Sequence, residues 1–131
     1  QAECLTGTEW LGSPLCRGPV VLGGDFNAVP GSRTYRRFAG LLCDVQQAVA
    51  RSRPAATFPT ALPMLRLDHL FVGGGIAVER AAVVRTPLSR VASDHLPLLA
   101  EVRIAPAREK PAATGAERQR AAHGSHSAHR R

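Results

Sequence analysis

Three short stretches of this chain combine residue types able to act on a phosphate ester. Gly24-Asp25-Phe26-Asn27 sets a carboxylate and an amide two positions apart. In an extended segment alternate side chains point the same way. Asp25 and Asn27 can then converge on one phosphate, the carboxylate facing a water or a metal and the amide donating to a non-bridging oxygen. Leu67-Asp68-His69-Leu70 puts a charge inside an apolar strand, which is costly unless paired. Asp68 therefore needs a partner, and a histidine is the obvious candidate, because a carboxylate orients the imidazole and raises its basicity. Ser93-Asp94-His95-Leu96-Pro97 leads into another apolar stretch. Adjacent residues diverge there, so Asp94 can face a metal while His95 turns toward the reacting phosphate. Taken singly, each stretch also has a plainer reading. Gly, Asp and Asn are turn formers, Asp68 and His69 can lie idle on an exposed edge, and Ser93 with Asp94 can cap a turn.

The elements that must hold these residues follow from pattern. Residues 1–17 read as the last turns of a helix, ended by Gly12 and Pro14. Pro19-Val-Val-Leu-Gly23 is a short apolar run bounded by turn residues, hence a buried strand that delivers the chain into the Asp25 loop. Tyr35, Phe38, Leu41, Leu42, Val45 and Val49 recur at helical spacing behind Ser32 or Thr34 as N-cap, which predicts one long helix. A proline-punctuated loop covers 51–63. Three strands are predicted after it, over 65–72, 76–85 and 96–104, the first closed by Gly73-Gly74-Gly75. The order is α/β, with the polar motifs at strand ends. Trp10 is expected in the core.

Composition narrows the class. One domain at most fits in 131 residues, and 44% apolar residues is ordinary for a globular chain. Residues 106–131 contain no Leu, Ile, Val or aromatic residue. Such a segment cannot offset an ordering cost of roughly 1–2 kcal/mol per residue, so it is expected to be a disordered basic tail beside a folded domain over 1–105. The tail carries six basic against two acidic residues, and thus more than half of the net +7. The basic pI is therefore weak support for a nucleic-acid-binding module. His123, His126 and His129 belong to that tail and are read as part of it, not as a metal site. Arg33, Arg36 and Arg37 read as a solvated helix face, whereas Arg90 is a candidate for substrate contact. Three widely spaced cysteines make neither a zinc cluster nor a disulfide framework. An odd count favours a reducing compartment, and a cytoplasmic location is expected. No apolar run approaches the ~20 residues of a membrane span, and no stable protein partner is expected.

The order of the three motifs, GDFN, then RLDHLFV, then SDHLPL, resembles the endonuclease/exonuclease/phosphatase superfamily, which includes pancreatic-type deoxyribonucleases, abasic-site endonucleases, inositol-polyphosphate 5-phosphatases and neutral sphingomyelinases. The resemblance runs from about Cys16 to Ile104. The wording GDFNAVPGSRTYRRF, ATFPT, RLDHLFV and RVASDHLPL is similar to that of compact bacterial members. It implies the C-terminal half of a four-layer α/β sandwich of the deoxyribonuclease-I-like type. By the same resemblance, Asp25 orients or deprotonates the attacking water and Asn27 holds the scissile phosphate. Asp94 contributes to a metal site for Mg²⁺ (or Mn²⁺), His95 stabilises or protonates the phosphorane, and Asp68 hydrogen-bonds that histidine. Position 69, often aromatic in the nucleases, is His69 here and receives no catalytic role. The first half of such a domain supplies a further Asn, a metal-binding Glu and usually a His, none of which this chain provides; Glu3 and Glu9 lie on the opening helix. The chain alone is therefore expected to be inactive.

Three functions stay open on these grounds. The first is metal-dependent hydrolysis of a phosphoester by in-line water attack, with nucleic acid, phospholipid head groups and sugar phosphates all candidate substrates. The second is a truncated, non-catalytic remnant that binds phosphate or nucleic acid. The third is a basic nucleic-acid-binding module.

Overall fold

The structure is a computed structural model that describes residues 2–49 and 53–104. The expected tail at 106–131 lies outside the described residues. Strand β1 (Val20–Asp25) forms where the apolar run predicts it and pairs antiparallel with β3 (Asp68–Gly73). The register runs from Val20 opposite Gly73 to Asp25 opposite Asp68. Two carboxylates from distant parts of the chain thereby become cross-strand neighbours at one end of the sheet. The short β2 (Cys43–Asp44) pairs with the other edge of β3, so β3 is central in the order β1-β3-β2. Beyond β3 the chain turns at Gly74, whose φ is +63°; a Cβ there would run into the Gly18 carbonyl, so the position requires glycine.

The predicted long helix is two short ones. Helix α2 (Arg33–Ala39) begins where Ser32 accepts the Tyr35 N–H at 3.2 Å and stops at Gly40. After β2, Asp44 caps α3 (Val45–Ala48) by accepting the Gln46 N–H at 2.9 Å. Helical spacing alone continues across Gly40. Tertiary contacts break it, because Asp44 gains partners across the sheet that a continuous helix would deny it. Its Oδ2 accepts the Tyr35 hydroxyl at 2.8 Å and the Arg66 guanidinium at 2.7 Å, and all three residues are buried. Burial together with the bond to Asp44 raises the pKa of Tyr35 above 10.0.

The opening helix is also shorter than predicted. Only Ala2–Leu5 (α1) is α-helical, and the Thr6 hydroxyl turns back onto the Ala2 carbonyl at 2.9 Å, the side-chain competition that favours helix ends. A single 3₁₀ turn follows at Pro14–Cys16. Trp10 is 57% exposed and is not part of the core, contrary to expectation. The core is Tyr35, Phe38 and Phe71, with Leu5, Leu11, Leu22, Phe26 and Leu42 against it.

The second sheet is β4 (Ile76–Val83) paired antiparallel with β5 (Leu98–Ile104), irregular between Val78 and Arg80. Between them lies α4 (Pro87–Ala92), which apolar pattern does not reveal but capping does. Thr86 accepts the Ser89 N–H at 3.0 Å while the Ser89 hydroxyl accepts the Thr86 N–H at 2.8 Å, with proline in the first turn. Val21, Leu99 and Ile104 are each more than half exposed, so apolar strand positions remain uncovered among the described residues.

Candidate active site

Asp25 ends β1, and one more ladder bond, Phe26 N–H to the Leu67 carbonyl at 3.0 Å, carries the pairing past it. The chain then leaves the extended conformation. Asn27 has φ +46°, and its N–H is donated to Asp25 Oδ1 at 2.9 Å. This corrects the simple alternation argument: a left-handed turn, not two positions of one strand, relates Asp25 to Asn27. Asparagine tolerates that region better than most residues. Both residues line one open pocket of about 660 Å³, bounded on its apolar side by Leu5, Leu22, Phe26 and Phe38.

Across the sheet, Asp68 opens β3 directly opposite Asp25. Its Oδ2 accepts a hydrogen bond of 2.7 Å from Nδ1 of His95. An ionised carboxylate can only accept, so Nδ1 carries the hydrogen and Nε2 is the nitrogen left for a reacting group. The carboxylate oxygens of Asp25 and Asp68 and the His95 ring nitrogens offer atoms all within 4.8 Å of one another.

The loop bearing His95 is held by residues 57–60, a segment to which residue pattern alone assigns no role. The Leu96 N–H reaches the Thr57 carbonyl at 2.8 Å, and the Thr60 N–H reaches the Asp94 carbonyl at 2.8 Å. The Thr60 hydroxyl donates to the Ser93 carbonyl at 2.9 Å. Phe58 lies against the imidazole, with ring centroids 4.8 Å apart. Two threonines around an aromatic residue do not by themselves signal such a brace; its partners lie more than thirty residues away.

The other candidates are placed differently. Asp94 is exposed and its carboxylate is outside the group formed by Asp25, Asp68 and His95. Its charge nevertheless reaches His95. Arg90 is exposed in the last turn of α4, three residues before Ser93. Arg33 and Arg37 pair with Glu3 instead of facing the pocket alone, at 3.6 and 2.9 Å.

The hydrogen bond to Asp68 raises the pKa of His95 above 6.5; desolvation opposes this, and the charges of Asp68, Asp25 and Asp94 add to it. Because the folded-state value is the higher one, the charged imidazolium contributes stability that is complete below 6.5 and is lost as pH rises through the raised value. In the metal-free chain, an NMR titration of the His95 ring is expected to give a midpoint above 6.5, and Asp68→Asn is expected to lower it. A midpoint unmoved by that change would show that the bond does not set it.

As a metal site, the donor set suits a hard cation. Asp68 Oδ2 and His95 Nδ1 are already engaged with each other, so a cation between them would have to break a short bond. Asp25 and Asp94 present exposed carboxylates, and Mg²⁺ commonly takes one or two of these with waters and substrate oxygens completing its shell.

Residues 9–95 match the model of the endonuclease/exonuclease/phosphatase family. The chain belongs to this family. An uncharacterised protein of Escherichia coli, YbhP, is 35% identical to this family member over 112 residues, covering 79% of the chain and 41% of that protein. Among solved structures, a functionally unknown protein from Enterococcus faecalis superposes with a TM-score of 0.63 at 27% identity, covering 75% of this chain and 41% of that one. A mannosyl-6-phosphatase from Bacteroides thetaiotaomicron superposes with a TM-score of 0.52 at 28% identity, covering 66% and 38%. The chain thus has the family fold and spans about two fifths of the length of these relatives. No described helix is long and apolar enough to cross a membrane.

Proposed function

We propose that this family member takes part in metal-dependent hydrolysis of a phosphoester by in-line attack of water. The observation that carries the proposal is the meeting of Asp25 with the Asp68–His95 pair at one end of the β1-β3 ladder. In this reading Asn27 donates its amide to a non-bridging phosphoryl oxygen, and Arg90 supplies a cationic contact. Asp25 orients the water and takes its proton as the new P–O bond forms. His95, held by Asp68 and favoured in its charged form, gives a proton to the leaving oxygen as the old P–O bond breaks. Asp94 would contribute to holding Mg²⁺ or Mn²⁺, which would neutralise charge on the phosphoryl oxygens.

The substrate class within phosphoesters is open to a direct assay. A panel of a chromogenic phosphodiester, a sugar phosphate, a phospholipid and DNA or RNA should be offered to the chain alone and to the chain joined to the remainder of the domain as its relatives carry it. Turnover is expected in the joined form, with loss of all activity in excess EDTA and recovery on adding Mg²⁺ or Mn²⁺. Asp94→Ala is expected to raise the metal concentration for half-maximal rate about tenfold or more, since affinity follows ligand charge. Hydrolysis that persists in EDTA would contradict the metal role. A second reading, a phosphate-binding protein without catalysis, is favoured by the bond between Asp68 Oδ2 and His95 Nδ1, which leaves that pair closed to a cation. Phosphate binding by the joined form with no turnover on any substrate would select it.

A further inference from the structure

His69 is the one histidine of the described site region that the proposed reaction leaves unused. It follows Asp68 in β3, and neighbouring strand residues face opposite ways. Asp68 therefore looks to the site while His69 is buried in the core at 1% exposure. Its ring lies among aromatic rings, with centroids 5.0 Å from Tyr35 and 5.7 Å from both Phe26 and Phe71. A purely apolar ring would fill that space. The imidazole instead reaches out of it, because Nε2 is 2.7 Å from the Ala28 carbonyl oxygen. A carbonyl only accepts, so Nε2 carries the hydrogen. Nδ1 has no hydrogen-bond partner among the described residues; Asp44 Oδ2, at 4.0 Å, is beyond reach.

Ala28 is buried and directly follows Asn27, the residue held at φ +46°. The turn is thus tied at two points. Asp25 accepts the Asn27 N–H on the open side, and His69 grips the next carbonyl from the core side. The second tie joins the Asp25–Asn27 turn to β3, the strand that also carries Asp68. We propose that His69 is a positioning residue: by holding the Ala28 carbonyl it keeps Asn27 in its left-handed conformation, with its amide registered against the Asp25, Asp68 and His95 group. It acts through Asn27 and touches no substrate. The inference rests on the proposed phosphate-holding role of Asn27, and it gives a physical reason for an imidazole where an aromatic hydrocarbon would otherwise pack.

Two substitutions separate the hydrogen bond from the packing. His69→Phe keeps a ring and removes the donor, whereas His69→Gln can place an amide N–H near the position of Nε2. In the hydrolysing form, His69→Phe is expected to raise KM about tenfold with a smaller change in kcat, the size of one lost hydrogen bond, and His69→Gln to restore most of the loss. In the 131-residue chain, long-range ¹H–¹⁵N spectra are expected to show hydrogen on His69 Nε2. Amide exchange at residues 26–29 is expected to quicken about tenfold in His69→Phe. Kinetics of His69→Phe equal to wild type, a glutamine variant no better than the phenylalanine one, or a bare Nε2 would each overturn the inference. Should the wild type hydrolyse nothing, the functional reading fails by itself, and the exchange rates still decide the role of His69. Unchanged rates overturn it. Should the phenylalanine variant not fold, the wild-type nitrogen spectrum decides.

Discussion

In the form joined to the remainder of the domain, replacing His95 with alanine is expected to lower turnover of a phosphodiester by about a thousandfold, within the range that a positioned general acid contributes. The ring stands 2.7 Å from Asp68, and its charged form is favoured by that bond and by three neighbouring carboxylates. It can therefore donate a proton near neutral pH without a cost in rearrangement. Asp25→Asn should cost a comparable factor, because the amide keeps the turn's acceptor for the Asn27 N–H but cannot take a proton. Asp25 is exposed and His95 partly so, and substitutions at such positions usually change stability little. The loss should therefore appear in kcat, with the denaturation midpoint of Asp25→Asn nearly unmoved and that of His95→Ala lowered only by the loss of its bond to Asp68. Rates within a factor of two of wild type for both variants would remove the catalytic reading of the cluster.

The largest stability effect is expected in the core, not among the reacting groups. Asp44→Ala should destabilise the fold by about 3–5 kcal/mol, the range for breaking one side of a buried ion pair. The change strips Arg66 of its 2.7 Å partner, the Tyr35 hydroxyl of its acceptor and α3 of its cap, all inside the protein. By contrast, Glu101→Ala removes an exposed partner of Arg80 at 3.3 Å and should cost under about 1 kcal/mol. Urea titrations of the two variants make the comparison. Equal, small shifts would mean that the buried group is not the support on which β2, α3 and the core side of β3 depend.

The meeting of Asp25, Asp68 and His95 was legible in the sequence because each sits in a short motif at a strand end. A carboxylate in an apolar strand demands a partner, and the structure pairs Asp68 with His95. The strand before Asp25 is legible for the same reason: Val20, Val21 and Leu22 sit between turn residues. What escaped depends on distant atoms. The helix predicted past Gly40 fails because Asp44 is claimed by Tyr35 and Arg66. The turn at Asn27 needs its own hydrogen bond to Asp25 and a carbonyl held by His69, neither visible in a hydrophobic pattern. Helix α4 was within reach, since Thr86-Pro87-Leu88-Ser89 spells a cap and a proline start, but apolar spacing does not reveal it. Trp10, given to the core on residue type alone, lies outside the cluster of Tyr35, Phe38 and Phe71.

One structure determination bears on the central claim most directly: crystals of the hydrolysing form grown with Mn²⁺ and inorganic phosphate, with manganese located by anomalous scattering. The expected density has phosphate oxygens within hydrogen-bonding distance of the Asn27 amide and His95 Nε2, and a manganese peak beside the exposed carboxylates of the same rim. Phosphate and manganese bound elsewhere, with that rim holding only water, would contradict the claim that these residues form one phosphoester site.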